Sequence, residues 1–170
     1  MFASRTNWEL HPNRLSSRLK DLREKGIPII DLSESNPTRV KLNYLTKTFL
    51  APLNCPENAI YQPAPKGMIK AQRAVQAYYQ EKGALASAKQ IFLAASTSEA
   101  YAHLFRLLVN PGERILVPRP SYPLLNFLAD LNDVELDSYR LRYEKSGWEI
   151  DVESLRQACC AETKAIVLIH

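Results

Sequence analysis

From Lys66 onward, short apolar runs alternate with amphipathic stretches, and glycine or proline marks most of the changes. The pattern predicts a helix over 68–82 closed by Gly83, a strand over Gln90–Ala95, a helix over 97–109 and a turn at Asn110-Pro111-Gly112. A strand Arg114–Pro118, a helix over 122–131, a strand over 134–139, a helix over 151–160 and a strand Ala165–Ile169 follow. Strands that alternate with helices build βαβ units, so the expected fold class is α/β, three layers with a mostly parallel sheet between helices. The run Ile166-Val167-Leu168-Ile169 reads as a strand buried on both faces. An apolar strand at the end of the sequence also predicts a partly uncovered edge that favours association.

Upstream, Leu15, Leu19 and Leu22 recur at helical spacing, which predicts an amphipathic helix over 12–25 ended by Gly26. A short strand is expected over Ile27–Leu32, then a turn at Ser35-Asn36-Pro37. Between Thr38 and Pro65 four prolines block long elements, so this stretch reads as a covering loop or arm.

Several classes of function fall away on composition. The chain has 170 residues, 46% hydrophobic and 24% charged, which is globular rather than disordered or fibrous. Its net charge of +4 is small and scattered, so no nucleic-acid partner is expected. Only five glycines are present and no two are close, which excludes a Walker loop and a G-x-G-x-x-G turn. Any phosphate must be held another way. The three cysteines, two of them adjacent at Cys159 and Cys160, imply no disulfide framework, and a reducing cytosol fits them best. The first residues lack the apolar core of a signal peptide, and no apolar run reaches the ~20 residues of a membrane span. His11, His103 and His170 lack metal-ligand spacing, so no metal is expected.

Two loops carry the site candidates. The strand ending at Ala95 runs into Ser96-Thr97-Ser98-Glu99, a capping box that leaves amides and hydroxyls at the positive end of a helix. Such a helix start at the carboxyl end of a parallel strand can hold a phosphate without a glycine loop, although any well-capped helix shows the same residues. One unit further, Pro120-Ser121-Tyr122-Pro123 fixes an aromatic ring between prolines, where it could stack on a planar ligand or simply pack the loop.

In their order, these pieces resemble the large domain of the aspartate-aminotransferase-like enzymes, the fold type I family dependent on pyridoxal phosphate. The resemblance runs from about Ile27 to His170. It includes Asp31-Leu32 to Asn36-Pro37, Tyr61, Gly67 before a helix ending Tyr78-Tyr79, and Ala95-Ser96-Thr97-Ser98-Glu99-Ala100. Further along it includes Pro111 to Pro118, Pro120 to Pro123, Gly147-Trp148 with Asp151 and Leu155, and Ile166 to His170.

The resemblance implies roles position by position. Ser96 and Thr97, helped by Ser98, are similar to the cradle of the cofactor phosphate, and Tyr122 to the aromatic that stacks on the pyridine ring. Tyr61 resembles the tyrosine that crosses a dimer interface toward the partner's cofactor, though a packed loop tyrosine reads the same. Ser35 and Asn36 resemble the segment over the substrate carboxylate, as would a plain Asn-Pro turn. Residues 1–40 then form an N-terminal arm or small-domain segment, and 41–170 an incomplete cofactor-binding large domain.

Departures are visible. Serines stand at 96 and 35 where glycine is common, and Ala71-Gln72 replaces a Leu-Arg pair. The family's Asn loop, the aspartate on the pyridine nitrogen, the Schiff-base lysine and a substrate-binding arginine are expected to lie beyond His170. Ser17-Arg18-Leu19-Lys20 mimics the lysine context, but Lys20 sits among arginines on the N-terminal helix and reads as a solvated side chain. No catalytic residue is therefore assigned.

The implied activity is amino-group transfer between an amino acid and a 2-oxo acid, with pyridoxal 5'-phosphate as cofactor, in a cytoplasmic homodimer. These 170 residues alone are expected to be inactive and to bind the cofactor weakly. A part of a C–S lyase on the same fold and a non-catalytic α/β interaction protein are the alternatives.

Overall fold

The computed structural model describes residues 2–33, 35–39, 46–145 and 147–169, so His170 lies outside it. The chain divides into two units, Glu9–Pro65 and a second made of Met1–Trp8 with Lys66–His170.

In the first unit, α1 spans Arg14–Glu24. Asn13 caps it, its side chain accepting from the Ser16 amide at 2.8 Å. None of its residues is buried and Leu15 is 79% exposed, so the leucine stripe stays largely open. Lys20 lies on the solvated surface and reaches Glu24 at 3.8 Å. The strand expected over Ile27–Leu32 does not form; no neighbouring strand pairs with it among the described residues. Asp31 instead accepts from the Ser33 amide at 2.9 Å and turns the chain. Helix α2, Thr46–Leu50, is followed by single 3-10 turns that begin beside Pro52 and Pro56, where proline's missing N–H is harmless.

The second unit holds α3 (Ile69–Glu81), α4 (Thr97–Leu108), β1 (Arg114–Arg119), α5 (Leu125–Leu131), β2 (Glu135–Glu144), β3 (Gly147–Ile150), α6 (Val152–Ala158) and β4 (Thr163–Ile166). The sheet order is β3-β2-β1-β4. β1 runs parallel to β2 and β4, whereas β2 and β3 form an antiparallel hairpin. The fold is α/β with a mostly parallel mixed sheet.

β1 is central and reads buried at four successive positions, Ile115 to Pro118. Its side chains alternate. Ile115 and Val117 pack with Phe105 of α4, Leu125 and Ala129 of α5, and Val134. Complete burial of an Ile or Leu side chain contributes about 1.5–3 kcal/mol, so this cluster sets the position of both helices. Pro118 sits in a central strand because β4 has already ended there. Leu116 turns its carbonyl to Val167 at 2.8 Å, and Pro118, two residues on, points its missing donor the same way, past the last paired residue Ile166. On β2, Tyr139 is 1% exposed and donates its hydroxyl to the Val167 carbonyl at 2.8 Å.

Two further expectations are corrected, and one strand is added. Residues Gln90–Ala95 form no strand: Ala88–Gln90 is a 3-10 turn, and of 91–95 only the Leu93 amide makes a backbone bond to another segment, to Lys66. The hairpin strand β3 was not expected; Tyr143 and Trp148 meet across it edge to face at 5.4 Å. The last strand covers Thr163–Ile166 rather than Ala165–Ile169 and lies at a sheet edge, with Ile166 43% and Leu168 63% exposed, so it is not buried on both faces.

Candidate functional site

Two loops of the second unit carry the polar groups. The first leads into α4. Gly67, with φ +91°, lets the chain pass against Leu93, and the Leu93 amide donates to the Lys66 carbonyl at 3.0 Å. Gln72, 5% exposed, donates its side-chain amide to the same carbonyl at 2.9 Å. This places the segment that delivers Ser96. Ser96 is extended and accepts from the Glu99 amide at 3.1 Å, while Glu99 accepts from the Ala95 amide at 2.5 Å. The return half of the expected capping box thus lands one residue early, on Ala95 rather than on Ser96. Among the described residues no acceptor meets the amides or hydroxyls of Thr97 and Ser98. They are the free donors at the positive end of a twelve-residue helix.

The second loop follows β1. Prolines flank Ser121-Tyr122, the Arg119–Pro120 peptide is cis, and the Leu125 amide donates to the Tyr122 carbonyl at 3.1 Å. Tyr122 is 40% exposed and lines a cleft of about 570 Å³ with Arg119, Asn126, Asp137 and Ser138. Asp137 is bound by Arg114 at 2.9 Å, and that bond raises the Arg114 pKa above its ordinary value. Ser96, Thr97 and Ser98 do not line this cleft.

The remaining candidates belong to the other unit. Tyr61 is 90% exposed rather than packed in its loop. Asn36 accepts from the Thr38 amide at 3.0 Å and from its hydroxyl at 2.7 Å, a turn closed by its own side chain, and Ser35 beside it is exposed. Arg119 and Gln72 were missed by sequence reasoning. A charge closing an otherwise apolar strand was the available signal for Arg119, and a polar side chain on the inner face of α3 for Gln72.

The sequence pattern of the family "Aminotransferase class I and II" matches residues 27–170. The chain belongs to that family. It is 30% identical over 151 residues to the glutamate-pyruvate aminotransferase AlaA of Haemophilus influenzae, covering 88% of this chain and 37% of that protein. It is 34% identical over 102 residues to the tyrosine aminotransferase of Mus musculus, covering 60% of this chain and 22% of that one. Among solved structures, the alanine aminotransferase of Pyrococcus furiosus superposes with a TM-score of 0.72 at 26% identity, over 86% of this chain and 38% of that one. A Thermus thermophilus aspartate aminotransferase double mutant gives 0.79 at 17% identity, over 99% and 44%, and supports the fold alone. This class I and II chain therefore spans well under half the length of the relatives it matches.

Proposed function

We propose that the chain supplies the phosphate- and ring-holding part of a pyridoxal-phosphate-dependent transaminase, which moves an amino group between an amino acid and a 2-oxo acid. The observation that carries this reading is the free donor set at the start of α4, the amides and hydroxyls of Thr97 and Ser98. A phosphate dianion matches that set, because the helix end adds positive potential to donors that have no competing acceptor. Tyr122, on the next loop of the same unit and partly exposed, offers an aromatic face for a planar ring. When bound, the pyridine ring would withdraw electrons from the amino acid's Cα. Thr97 and Ser98 would anchor the phosphate, Ser96 would keep their helix turn closed, and Tyr122 would restrict the ring's tilt. Tyr61, being exposed, is available to a second copy in a homodimer, and Ser35-Asn36 to the substrate carboxylate. A cytoplasmic location accords with three free cysteines. The relatives named above are transaminases, which does not favour a C–S lyase.

Fluorescence titration with pyridoxal phosphate tests the reading. Binding on the order of millimolar, about 4 kcal/mol, is expected for the 170 residues and should weaken in both Tyr122→Ala and the Thr97→Ala/Ser98→Ala double variant. Equal affinity in all three proteins would refute it. Borohydride reduction should leave no stoichiometric pyridoxyl-lysine, since lysines such as Lys20, 76% exposed, lack the desolvation that activates an amine.

A further inference from the structure

A second cleft, of about 480 Å³, lies beside that of Tyr122 and shares Arg119 and Ser138 with it. Its other basic residues are Arg140 and Arg142. Ser138, Arg140 and Arg142 alternate along β2 and so share one face, and Arg119 is the register partner of Arg140 on the adjacent parallel strand. Two guanidinium groups are therefore held on neighbouring strands about 4.8 Å apart. Like charges placed this way repel and weaken a sheet.

Asp151 and Glu153 line the same cleft, but neither bonds Arg119 or Arg140. Asp151 binds Arg142 at 2.6 Å and accepts from the Ser154 amide at 3.1 Å. Glu153 accepts from Gln157 at 3.0 Å, and Asp137 is held by Arg114 at 2.9 Å. Among the described residues, neither Arg119 nor Arg140 has an ion-pair or hydrogen-bonded partner for its side chain. The cleft thus sets three arginines against two carboxylates and is net positive, with the Arg119 and Arg140 guanidinium groups unbonded among the described residues and the Ser138 hydroxyl alongside as a neutral donor.

We infer that Arg119 and Arg140 form a binding site for a dianionic oxyanion of the phosphate type, separate from the donors of Thr97 and Ser98. Guanidinium forks present paired N–H donors that match tetrahedral oxyanions, and a dianion between them turns the repulsion into two charge-assisted contacts. The site goes beyond the proposed cofactor role and stands whether or not pyridoxal phosphate binds at α4.

The test uses inorganic phosphate with the 170-residue chain, at constant ionic strength set with chloride, followed by urea denaturation and calorimetric titration. Saturable binding is expected, weakened at least tenfold in Arg119→Gln and in Arg140→Gln. It should persist in Arg106→Gln, which removes an exposed arginine elsewhere, and in the Thr97→Ala/Ser98→Ala variant. Without phosphate, each of the two cleft variants should raise the urea midpoint by removing one repelling charge, and in the Thr97→Ala/Ser98→Ala background added phosphate should no longer stabilise it. Phosphate stabilisation that survives when either cleft substitution is combined with Thr97→Ala/Ser98→Ala, or a response no larger than that of chloride, overturns the proposal. A phosphate monoester such as glycerol phosphate in place of inorganic phosphate distinguishes a free ion from a phosphorylated metabolite: equal affinity favours a site open to both.

Discussion

Gly67 approaches Leu93 so closely that a Cβ at position 67 would stand 2.7 Å from the Leu93 Cβ. Its φ of +91° adds a backbone conformation that side chains rarely adopt. Gly67→Ala is therefore expected to destabilise the unit by about 1–3 kcal/mol, the usual range for overpacking. Because Lys66 and Leu93 are tied by a backbone bond, the strain falls on the segment that delivers Ser96. Urea denaturation should show the loss in stability, and the cofactor titration should show weaker binding at a urea-free, fully folded baseline. Wild-type stability in this variant would mean that the contact is not maintained.

Tyr139 carries a second prediction. Its ring is buried and its hydroxyl fixes the Val167 carbonyl, so Tyr139→Phe should cost about 1–2 kcal/mol through the carbonyl left without its donor. Burial also raises the Tyr139 pKa above its ordinary value near 10. A phenol whose pKa is raised on folding keeps its full contribution below the unfolded value and loses it as the pH climbs beyond that value. Stability should therefore fall more steeply above pH ~10 in the wild type than in Tyr139→Phe. Parallel pH profiles for the two proteins would contradict this.

How far the sequence disclosed these features depended on whether a feature was local or relational. Helices α1, α3 and α4 were legible because leucine and alanine spacing, Ser96 at the start of α4 and glycine after the end of α1 and α3 are properties of one segment. β1 was legible from its unbroken apolar run between a turn and a proline loop. A strand, however, requires a partner, and apolar residues at Ile29-Ile30 or Ile91-Phe92-Leu93 do not reveal whether one lies alongside. The same limit hid β3, whose alternating Trp148 and Ile150 become a strand only against Tyr143 and Leu141. At the site, the residue types Ser96, Thr97, Ser98 and Tyr122 were readable, but the Arg119–Arg140 register was not. It arises from two strands separated by a helix.

Asp151 gives a prediction at acid pH. The Ser154 amide, with the Arg142 guanidinium, holds its carboxyl below the ordinary carboxylate range. A depressed carboxyl contributes stability that is complete above its unfolded value, near 4, and is lost as the pH falls through its folded one. Asp151→Ala should consequently be destabilised at pH 7, and its deficit relative to wild type should shrink as the pH drops below 4. A deficit that is constant from pH 7 to pH 2 would assign the effect to packing instead.

The edge of the sheet beyond β1 makes a further case. Ile166, Leu168 and Ile169 are 43%, 63% and 45% exposed in sequence along and just after an edge strand. Such an edge offers unpaired backbone groups beside apolar side chains, the combination that drives strand-to-strand association. The Ile166→Lys/Leu168→Lys double variant should shift the 170-residue chain toward monomer in sedimentation, with little change in its urea midpoint. An unchanged size distribution would place the contacts elsewhere.

Ser96 and Glu99 close the first turn of α4 by two separate bonds, one from the Glu99 amide to Ser96 and one from the Ala95 amide to Glu99. Loss of a serine cap typically costs about 1 kcal/mol, so Ser96→Ala should destabilise by that amount and fray the turn that aims the Thr97 and Ser98 amides. Ser96→Asp keeps an acceptor and should retain stability, but it sets a negative charge beside the same donors. The two variants therefore separate the roles: if an anion binds here, Ser96→Asp must lose pyridoxal phosphate affinity while remaining as stable as wild type. Ser96→Ala must lose some of both. A stable Ser96→Asp that binds the cofactor as well as wild type does would show that the phosphate lies away from the start of α4.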